Sequence, residues 1–313
     1  MLSRAFAWAG IAAALTCSAA TTATAQADTT RVTPAGADGR FQLKLDETDR
    51  LKGHSKEKVA AFRIRMTAVV ELLKAMPAVN SPPFPACSRL DSWLGRNDIQ
   101  PVLMASMLVT TPEMTGSGGC SPVTELSVGV TLNEIPGLPL DHYKLRSGES
   151  WHVLPVVSSG PDFVEWEYNG DKGVVLFEPR GSPFKPVSIE RFARYQLEQF
   201  TDYGAFDGGE PGRELRERIE SWTPDQRLMP ACLNHEVGFT ADFLAEPNPT
   251  CPLDRQVVEI DPTYLDAKRP YVIQMVSLDK YHEHGMESAQ SRTLRTAVWS
   301  TLDRDALRAM IGR

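Results

Sequence analysis

The amino-acid sequence predicts an α+β fold with a mainly antiparallel sheet, packed helices and two disulfides. The first observation is the order of the predicted elements, which runs from one helix through several strands to more helices, two further strands and a helical C-terminus. This order lacks the regular strand–helix alternation of doubly wound and barrel folds. The second observation is composition, because 313 residues with 42% hydrophobic and 23% charged side chains are typical of a globular chain with a large core. The third is an even set of cysteines downstream of an export signal.

Residues 1–27 are predicted to be a secretory signal peptide. Arg4 supplies a positive charge, residues 5–15 are uncharged and mostly apolar, and small residues follow with cleavage patterns that end at Ala25 and Ala27. The apolar segment is too short to span a bilayer, which takes about 20 residues. We therefore expect cleavage after Ala25 or Ala27, a periplasmic or secreted location, and no transmembrane segment in the mature, soluble chain.

The mature chain is predicted to begin with a flexible lead-in over residues 28–53, which contains a short strand at 41–45. A single α+β domain is expected over residues 54–313, because no repeat or low-complexity linker divides this part of the sequence. The clearest helix is predicted over 56–76, where apolar residues recur every three or four positions and form one stripe. Pro77 is expected to end this helix.

Short β-strands are predicted to follow. Residues 100–111 and 123–133 are typical of strands, with a Gly-rich connection between them. Three more strands are predicted at 151–158, 163–168 and 173–177, separated by the turn sequences Gly-Pro and Asn-Gly. Consecutive short strands of this kind predict an antiparallel meander.

In the C-terminal half, helices and strands are predicted in an irregular order, and N-cap residues mark where the helices begin. Its elements are expected in this order: a helix capped by Ser188, a charged helix at 214–222, a helix that begins at the Thr223 capping box, strands at 256–261 and 271–278, and a helical C-terminus from Leu294.

Four cysteines remain after the leader: Cys87, Cys120, Cys232 and Cys251. An even set in an exported chain favours disulfides, and we expect local pairing of Cys87 with Cys120 and of Cys232 with Cys251. The alternative is a zinc site built from all four, but the C-x2-C spacing of such sites does not occur. Cys17 is expected to leave with the leader, because the residue before it is not the small residue that lipid attachment favours.

The best metal candidate is the H-x-H pair of His282 and His284. Alternate residues on a strand point the same way, so two imidazoles at this spacing can bind one divalent ion. Asp279 or Glu287 could add an oxygen ligand, and His235 is a distant partner. A catalytic zinc site needs three protein ligands, so the competing interpretation is a solvated, charged loop. A divalent metal here is the one cofactor that the sequence suggests.

A second chemical candidate is the carboxylate pair of Glu165 and Glu167, which lies beside Trp166 and Tyr168. Paired carboxylates flanked by aromatic rings can hydrolyse or bind sugars. On a strand, however, the two glutamates share one face and the aromatics the other, which favours a solvated face opposite a core-facing one. The sequence also lacks the G-x-S-x-G nucleophile motif, so no catalytic residue is assigned.

The net charge of −7 argues against general binding to nucleic acid or anionic lipid. The first functional hypothesis is an exported soluble protein that binds an envelope component, a polymer or a partner protein. The alternative is a secreted hydrolase, metal-assisted through His282 and His284. A third hypothesis is a structural accessory subunit, which would be an obligate oligomer. Whether the chain is an enzyme is left open at this point.

Overall fold

The computed structural model describes most of the chain downstream of the predicted leader. The described residues are 40–47, 51, 53–82, 86–97, 101–112, 115, 117–120, 126–135, 143–144, 150–168, 170–202, 210–233, 246–261, 263–280 and 289–313. Within them the helices are α1 (Lys56–Lys74), α2 (Pro77–Asn80), α3 (Ile189–Asp202), α4 (Glu210–Ser221), α5 (Pro224–Leu228), α6 (Ala289–Thr301) and α7 (Arg304–Arg308).

The described strands complete an α+β fold whose sheets are mainly antiparallel, as the sequence predicts. They are β1 (Arg40–Glu47), β2 (Cys87–Arg96), β3 (Leu103–Thr110), β4 (Leu126–Leu132), β5 (Tyr143–Lys144), β6 (Ser150–Val153), β7 (Val156–Gly160), β8 (Phe163–Tyr168), β9 (Asp171–Phe177), β10 (Phe184–Pro186), β11 (Ala231–Cys232), β12 (Glu246–Pro247), β13 (Val257–Ile260) and β14 (Met275–Lys280).

Eight strands form one large sheet in the order β1-β2-β3-β4-β14-β9-β8-β7. β1 and β2 are parallel, and the other neighbouring pairs are antiparallel. β14 follows β9 by about a hundred residues in the chain, yet it pairs with β4 on one side and with β9 on the other. The centre of this sheet therefore depends on a strand that is synthesised late.

One face of the large sheet is covered by a layer of helices. α1 begins at the N-cap Ser55, whose side chain accepts a hydrogen bond from the Lys58 backbone N–H, and ends before Pro77, which opens α2. The predicted apolar stripe is buried: Val59, Phe62, Met66, Val69, Leu73 and Met76. It shares one core with apolar residues of β2, β3, β4, β9 and β14 and with residues of α6 and α7. Full burial of each large side chain contributes about 1.5–3 kcal/mol before the entropic cost of ordering it.

A second sheet, in the order β10-β13-β6-β5, supports the remaining helices. Trp151 on β6 packs with Phe192 on α3 and with Leu215 and Ile219 on α4 in one apolar cluster. The predicted capping box of α5 is present, with the Thr223 side chain accepting from the Gln226 backbone N–H and the Gln226 side chain accepting from the Thr223 N–H. Local start signals were thus sufficient to place this helix.

Several elements differ from the prediction: β2 is not predicted, β14 begins and ends later than the expected 271–278, and two further differences concern residues 151–158 and the lead-in. Residues 151–158, expected as one strand, are divided between β6 of the second sheet and β7 of the large sheet. The physical reason is Pro155, which has no N–H for a ladder, and the adjacent Val156 N–H donates to the Leu154 carbonyl at 2.8 Å. In the predicted lead-in, β1 extends beyond the expected 41–45 at both ends and pairs along its full length with β2.

Both predicted disulfides are present. Cys87 is bonded to Cys120 and Cys232 to Cys251, with Cα–Cα distances of 5.9 and 5.7 Å. This pairing overturns the alternative of a zinc site made of all four thiolates. The bonds are consistent with folding in an oxidising compartment. Among the described helices, none is both long and apolar enough to cross a membrane.

Candidate functional site

The face of the large sheet opposite the helix layer carries buried polar side chains. Along β14, Val276 and Leu278 belong to the core under the helices, so the alternating residues Ser277 and Asp279 point to the other face. Thr131 on β4 is the cross-strand partner of Ser277, and Ser106 on β3 is the partner of Thr131. We call Ser106, Thr131, Ser277 and Asp279 the polar strip; each is buried.

Asp279 is the charged residue of the polar strip, and its burial is nearly complete. The residue is 2% exposed, and its Oδ2 atom has no hydrogen-bond partner among the described residues. Most buried polar atoms in proteins are hydrogen-bonded, because desolvation without a partner costs free energy. An enclosed carboxyl of this kind reduces the stability of the fold.

Asp279 is flanked by glycine on both neighbouring strands. Gly129 on β4 and Gly173 on β9 are its cross-strand partners. A Cβ atom at position 129 would lie 3.8 Å from both Cβ and Oδ2 of Asp279, which is ordinary van der Waals contact. At position 173 the corresponding space is filled by the indole ring of Trp166. The Asp279 carboxyl therefore has the backbone of Gly129 on one side. On the other side is Gly173, whose backbone is covered by the Trp166 ring.

The environment of Asp279 favours its protonated form. Burial is the main cause, because it penalises the charged carboxylate, and the negative charge of Asp171 adds to it; together they raise the pKa of Asp279 to about 8. Asp171 begins β9, two residues before Gly173, and therefore lies on the same face as Asp279. At neutral pH the Asp279 carboxyl is mainly a neutral hydrogen-bond donor.

Other polar groups of this face are paired at least in part. The Ser106 and Thr131 hydroxyls form a hydrogen bond of 3.0 Å. On β2, Asp91 Oδ2 forms a 2.7 Å ion pair with Arg89, while its buried Oδ1 has no partner among the described residues. Asp279 differs from Asp91 in having no described ion-pair partner. Chemically, Asp279 can donate a proton or a hydrogen bond when neutral, and can hold a cation when charged.

A separate buried polar group, around Asn133, serves the fold. The Asn133 side chain donates to the carbonyls of Leu103 and Val272 at 3.0 and 2.8 Å, and accepts from the Gln274 N–H at 2.7 Å. Its backbone has φ 57°, in the left-handed region. Beside it lies a cavity of about 50 Å³ lined in part by Asn97. Since the hydrogen-bonding atoms of Asn133 are satisfied, we assign this network a structural role.

The predicted metal ligands are not placed by the structure. His282, His284 and His235 lie outside the described residues, as does Glu287. Within the described residues, no group of three or more His, Cys, Asp or Glu side chains could hold a metal ion. The metal hypothesis at His282 and His284 stays a prediction.

The two glutamates considered as a catalytic pair are engaged in ion pairs. Glu165 lies 3.3 Å from Arg304 of α7, and Glu167 lies 2.7 Å from Lys172 of β9. Trp166, between them in sequence, is 3% exposed and belongs to the core of the opposite face. The preferred interpretation, a polar face opposite a core-facing one, agrees with this arrangement.

From the sequence, the strand is predicted to end at residue 278, so Asp279 is expected beside the histidines, as an oxygen ligand or as part of a charged loop. In the structure β14 continues to Lys280 and carries Asp279 into the sheet centre. The available signal was an acidic residue directly after an apolar run. Its glycine neighbours, Gly129 and Gly173, are distant in sequence, so only the strand register reveals them.

Comparison with known proteins gives no relative: no family model matches the chain, and neither curated proteins nor solved structures contain a significant match.

Proposed function

We propose that this chain is an exported protein that acts in the periplasm or outside the cell by binding an envelope component, a polymer or a partner protein. The observation that carries the proposal is the pair of disulfides, Cys87–Cys120 and Cys232–Cys251, since stable disulfides belong mainly to proteins of oxidising compartments. The order of charge, apolar segment and small residues over 1–27 supports export. Asp279 supports a binding role, because its Oδ2 has no hydrogen-bond partner among the residues that the structure describes and a bound group can supply one.

Cell fractionation followed by capture tests this proposal. The full chain is expressed with its leader, and N-terminal sequencing of the mature protein is expected to begin after Ala25 or Ala27. The purified, oxidised protein is then immobilised and exposed to envelope fractions, with the reduced and unfolded protein as control. Envelope material is expected to be retained by the folded protein and not by the reduced, unfolded control. An unprocessed cytoplasmic chain, or a chain that binds no envelope fraction but turns over a substrate, would contradict the proposal.

A secreted hydrolase, metal-assisted through His282 and His284, is the second candidate. Its support is the spacing of His282 and His284 in the sequence, because alternate residues on a strand can direct two imidazoles at one divalent ion. Elemental analysis of protein purified without chelator or histidine tag is the test, with the H282A/H284A double variant and H54A as a control. A stoichiometric metal that is lost only in the double variant supports this candidate. A metal-free wild-type protein removes the metal-assisted form.

A further inference from the structure

We propose that the outer edge of β7 is a dimerisation surface, on which a second copy of this chain pairs its own β7 in antiparallel orientation about a two-fold axis. β7 (Val156–Gly160) is the last strand of the large sheet, so no described strand lies on its outer side. The edge of a sheet presents N–H and C=O groups that can pair with another chain. The inference concerns this edge alone and does not depend on the envelope partner proposed above.

The backbone of β7 directs hydrogen-bonding groups to this outer side. Glu167, at the end of β8, donates its N–H to the Pro155 carbonyl at 3.2 Å, so the odd-numbered residues of β8 bond toward β7. Val164 alternates with them, and its cross-strand partner Ser159 therefore directs its own N–H and carbonyl outward. Apart from the ladder with β8, residues 157–160 form no hydrogen bond within the described part of the chain. Ser159 thus offers one donor and one acceptor to a second strand.

The side chains of β7 leave its edge accessible. Val157, Ser158 and Ser159 are exposed, and the Val157 side chain belongs to the few large apolar ones at the surface, with 60% of its area exposed. Natural proteins guard sheet edges with charged side chains, prolines or bulges. β7 has a bulge near Val157, but it carries no charged residue, and Ser158–Gly160 pair with β8 in regular register. No charge on the strand therefore opposes the approach of an identical strand.

The edge of β7 is complementary to itself. When the two-fold axis passes through Ser159, each Ser159 N–H donates to the Ser159 carbonyl of the other copy, which gives two reciprocal hydrogen bonds. In this register Val157 lies opposite Pro161 of the second copy, and both residues are exposed in the single chain. Pairing would bury this apolar contact twice, once on each side of the axis.

The charges beside β7 favour a second copy as the occupant. A short 3-10 helix, Leu253–Arg255, lies next to β7 and carries Asp254 and Arg255. Both side chains are exposed, and neither forms an ion pair with a described residue. A two-fold axis perpendicular to the sheet brings the 3-10 helix of the second copy to the same face, where Asp254 of one copy can pair with Arg255 of the other. Two adjacent, opposite and unpaired charges suit an identical partner better than a partner of one sign.

The contact is small, so we expect a reversible dimer. Stable interfaces bury about 1,200–2,000 Å², and one short strand with one 3-10 helix from each copy forms a smaller contact. The nearby charges of the β7–β8 hairpin already pair within the chain, Asp162 with Arg308 at 3.1 Å and Glu165 with Arg304 at 3.3 Å, and add nothing to it. A dissociation constant on the order of 10–100 μM is therefore expected.

Sedimentation velocity of the full mature, oxidised protein, over about 5–500 μM, tests this surface. S159P removes the outward N–H and leaves the residues that bond to β8 unchanged. V157K replaces the exposed apolar side chain of the edge with the residue that natural edges use as a guard. I64K is its matched control, because Ile64 on α1 is a similarly exposed aliphatic residue far from β7 in the chain. Circular dichroism verifies that each variant is folded.

The wild type is expected to show a concentration-dependent monomer–dimer equilibrium. S159P and V157K are each expected to weaken it by about tenfold or more, because two reciprocal hydrogen bonds or two apolar contacts are lost, while I64K dimerises like the wild type. The proposal is overturned by a wild type that stays monomeric at about 500 μM. It is also overturned if S159P and V157K dimerise as tightly as the wild type, or if the edge of a monomeric protein binds only extended segments of other proteins.

A charge exchange tests the two-fold arrangement. D254R is expected to weaken the dimer, because it faces Arg255 of the second copy with a like charge. The double variant D254R/R255D restores opposite charges across the axis and is expected to recover most of the lost affinity. A double variant that dimerises no more tightly than D254R would overturn the proposed arrangement of the two copies.

Discussion

The indole ring of Trp166 lies against the backbone of Gly173, in the space that a Cβ atom at position 173 would occupy. The same glycine is the cross-strand partner of Asp279, so one position both accommodates an aromatic ring and borders the buried carboxyl. Gly129 borders Asp279 on the other strand, where a Cβ would make only ordinary contacts. The two glycines therefore respond differently to the same substitution.

Gly173→Ala is expected to destabilise the protein by about 1–3 kcal/mol, because the ring of Trp166 must move within a packed core. Gly129→Ala is the matched control and is expected to change stability by less than about 1 kcal/mol. Urea unfolding followed by tryptophan fluorescence measures both. Equal losses of stability in the two variants would contradict this expectation, because they would show that the Trp166 ring can pack equally well when position 173 carries a side chain.

Asp279→Asn is expected to stabilise the protein, by an amount that grows with pH. The pKa of Asp279 is raised from 3.8 to about 8 in the folded state, so the folded protein binds a proton that the unfolded chain releases within this range. Asp279 therefore lowers the stability of the wild type least at low pH. As pH rises from the unfolded to the folded pKa of Asp279, the free energy of unfolding falls by about 1.4 kcal/mol per pH unit.

The amide of D279N does not titrate, so the difference between variant and wild type should increase from pH 4 to pH 8 and then level. Urea unfolding at several pH values measures this difference, and Asp91→Asn is the control for a carboxyl that has an ion-pair partner. A difference that stays constant over the range would contradict the expected titration.

The fold and the site were not equally predictable from the sequence. Local signals sufficed for α1, with its apolar stripe, for the capping box at Thr223 and for the pairing of the cysteines. These features depend on residues that are close in the chain. The central place of β14 could not be predicted, because it pairs with strands that lie far away in sequence.

For the same reason the environment of Asp279 was not visible in the sequence. The sequence places Trp166 and Tyr168 beside Glu165 and Glu167, but these two glutamates lie on the other face of β8. The carboxyls that share their face, Asp171 and Asp279, come from two other strands and become neighbours only through strand pairing.

Removal of either disulfide is expected to lower the free energy of unfolding by about 3–4 kcal/mol, because each bond restricts the unfolded chain. The Cys87–Cys120 bond spans 33 residues and Cys232–Cys251 spans 19, so the first double serine variant should lose slightly more, by about 0.5 kcal/mol. Urea unfolding of the two variants, each with the other bond intact, provides the comparison. No loss in either variant would show that neither bond restricts the unfolded state.

Asn133→Ala is expected to destabilise the protein by about 3 kcal/mol or more, because buried carbonyls and N–H groups lose their partners. Asn133→Gly separates two contributions, since glycine also removes the hydrogen bonds but tolerates the φ of 57°. We expect the glycine variant to be about 1 kcal/mol more stable than the alanine variant. Equal stabilities of the alanine and glycine variants would mean that the left-handed backbone at position 133 carries no strain.

The most direct measurement is the titration of the Asp279 side-chain carboxyl by carbon-13 NMR, with D279N used to assign its resonance. A midpoint of about 8, far above the ordinary aspartate range, is the expected result, because the carboxyl is buried, has no partner for Oδ2 among the described residues and faces the charge of Asp171. A midpoint near 3.8 would show that Asp279 is solvated or paired with a cation in the free protein, and would contradict the assignment of the polar strip as a site with an unsatisfied carboxyl.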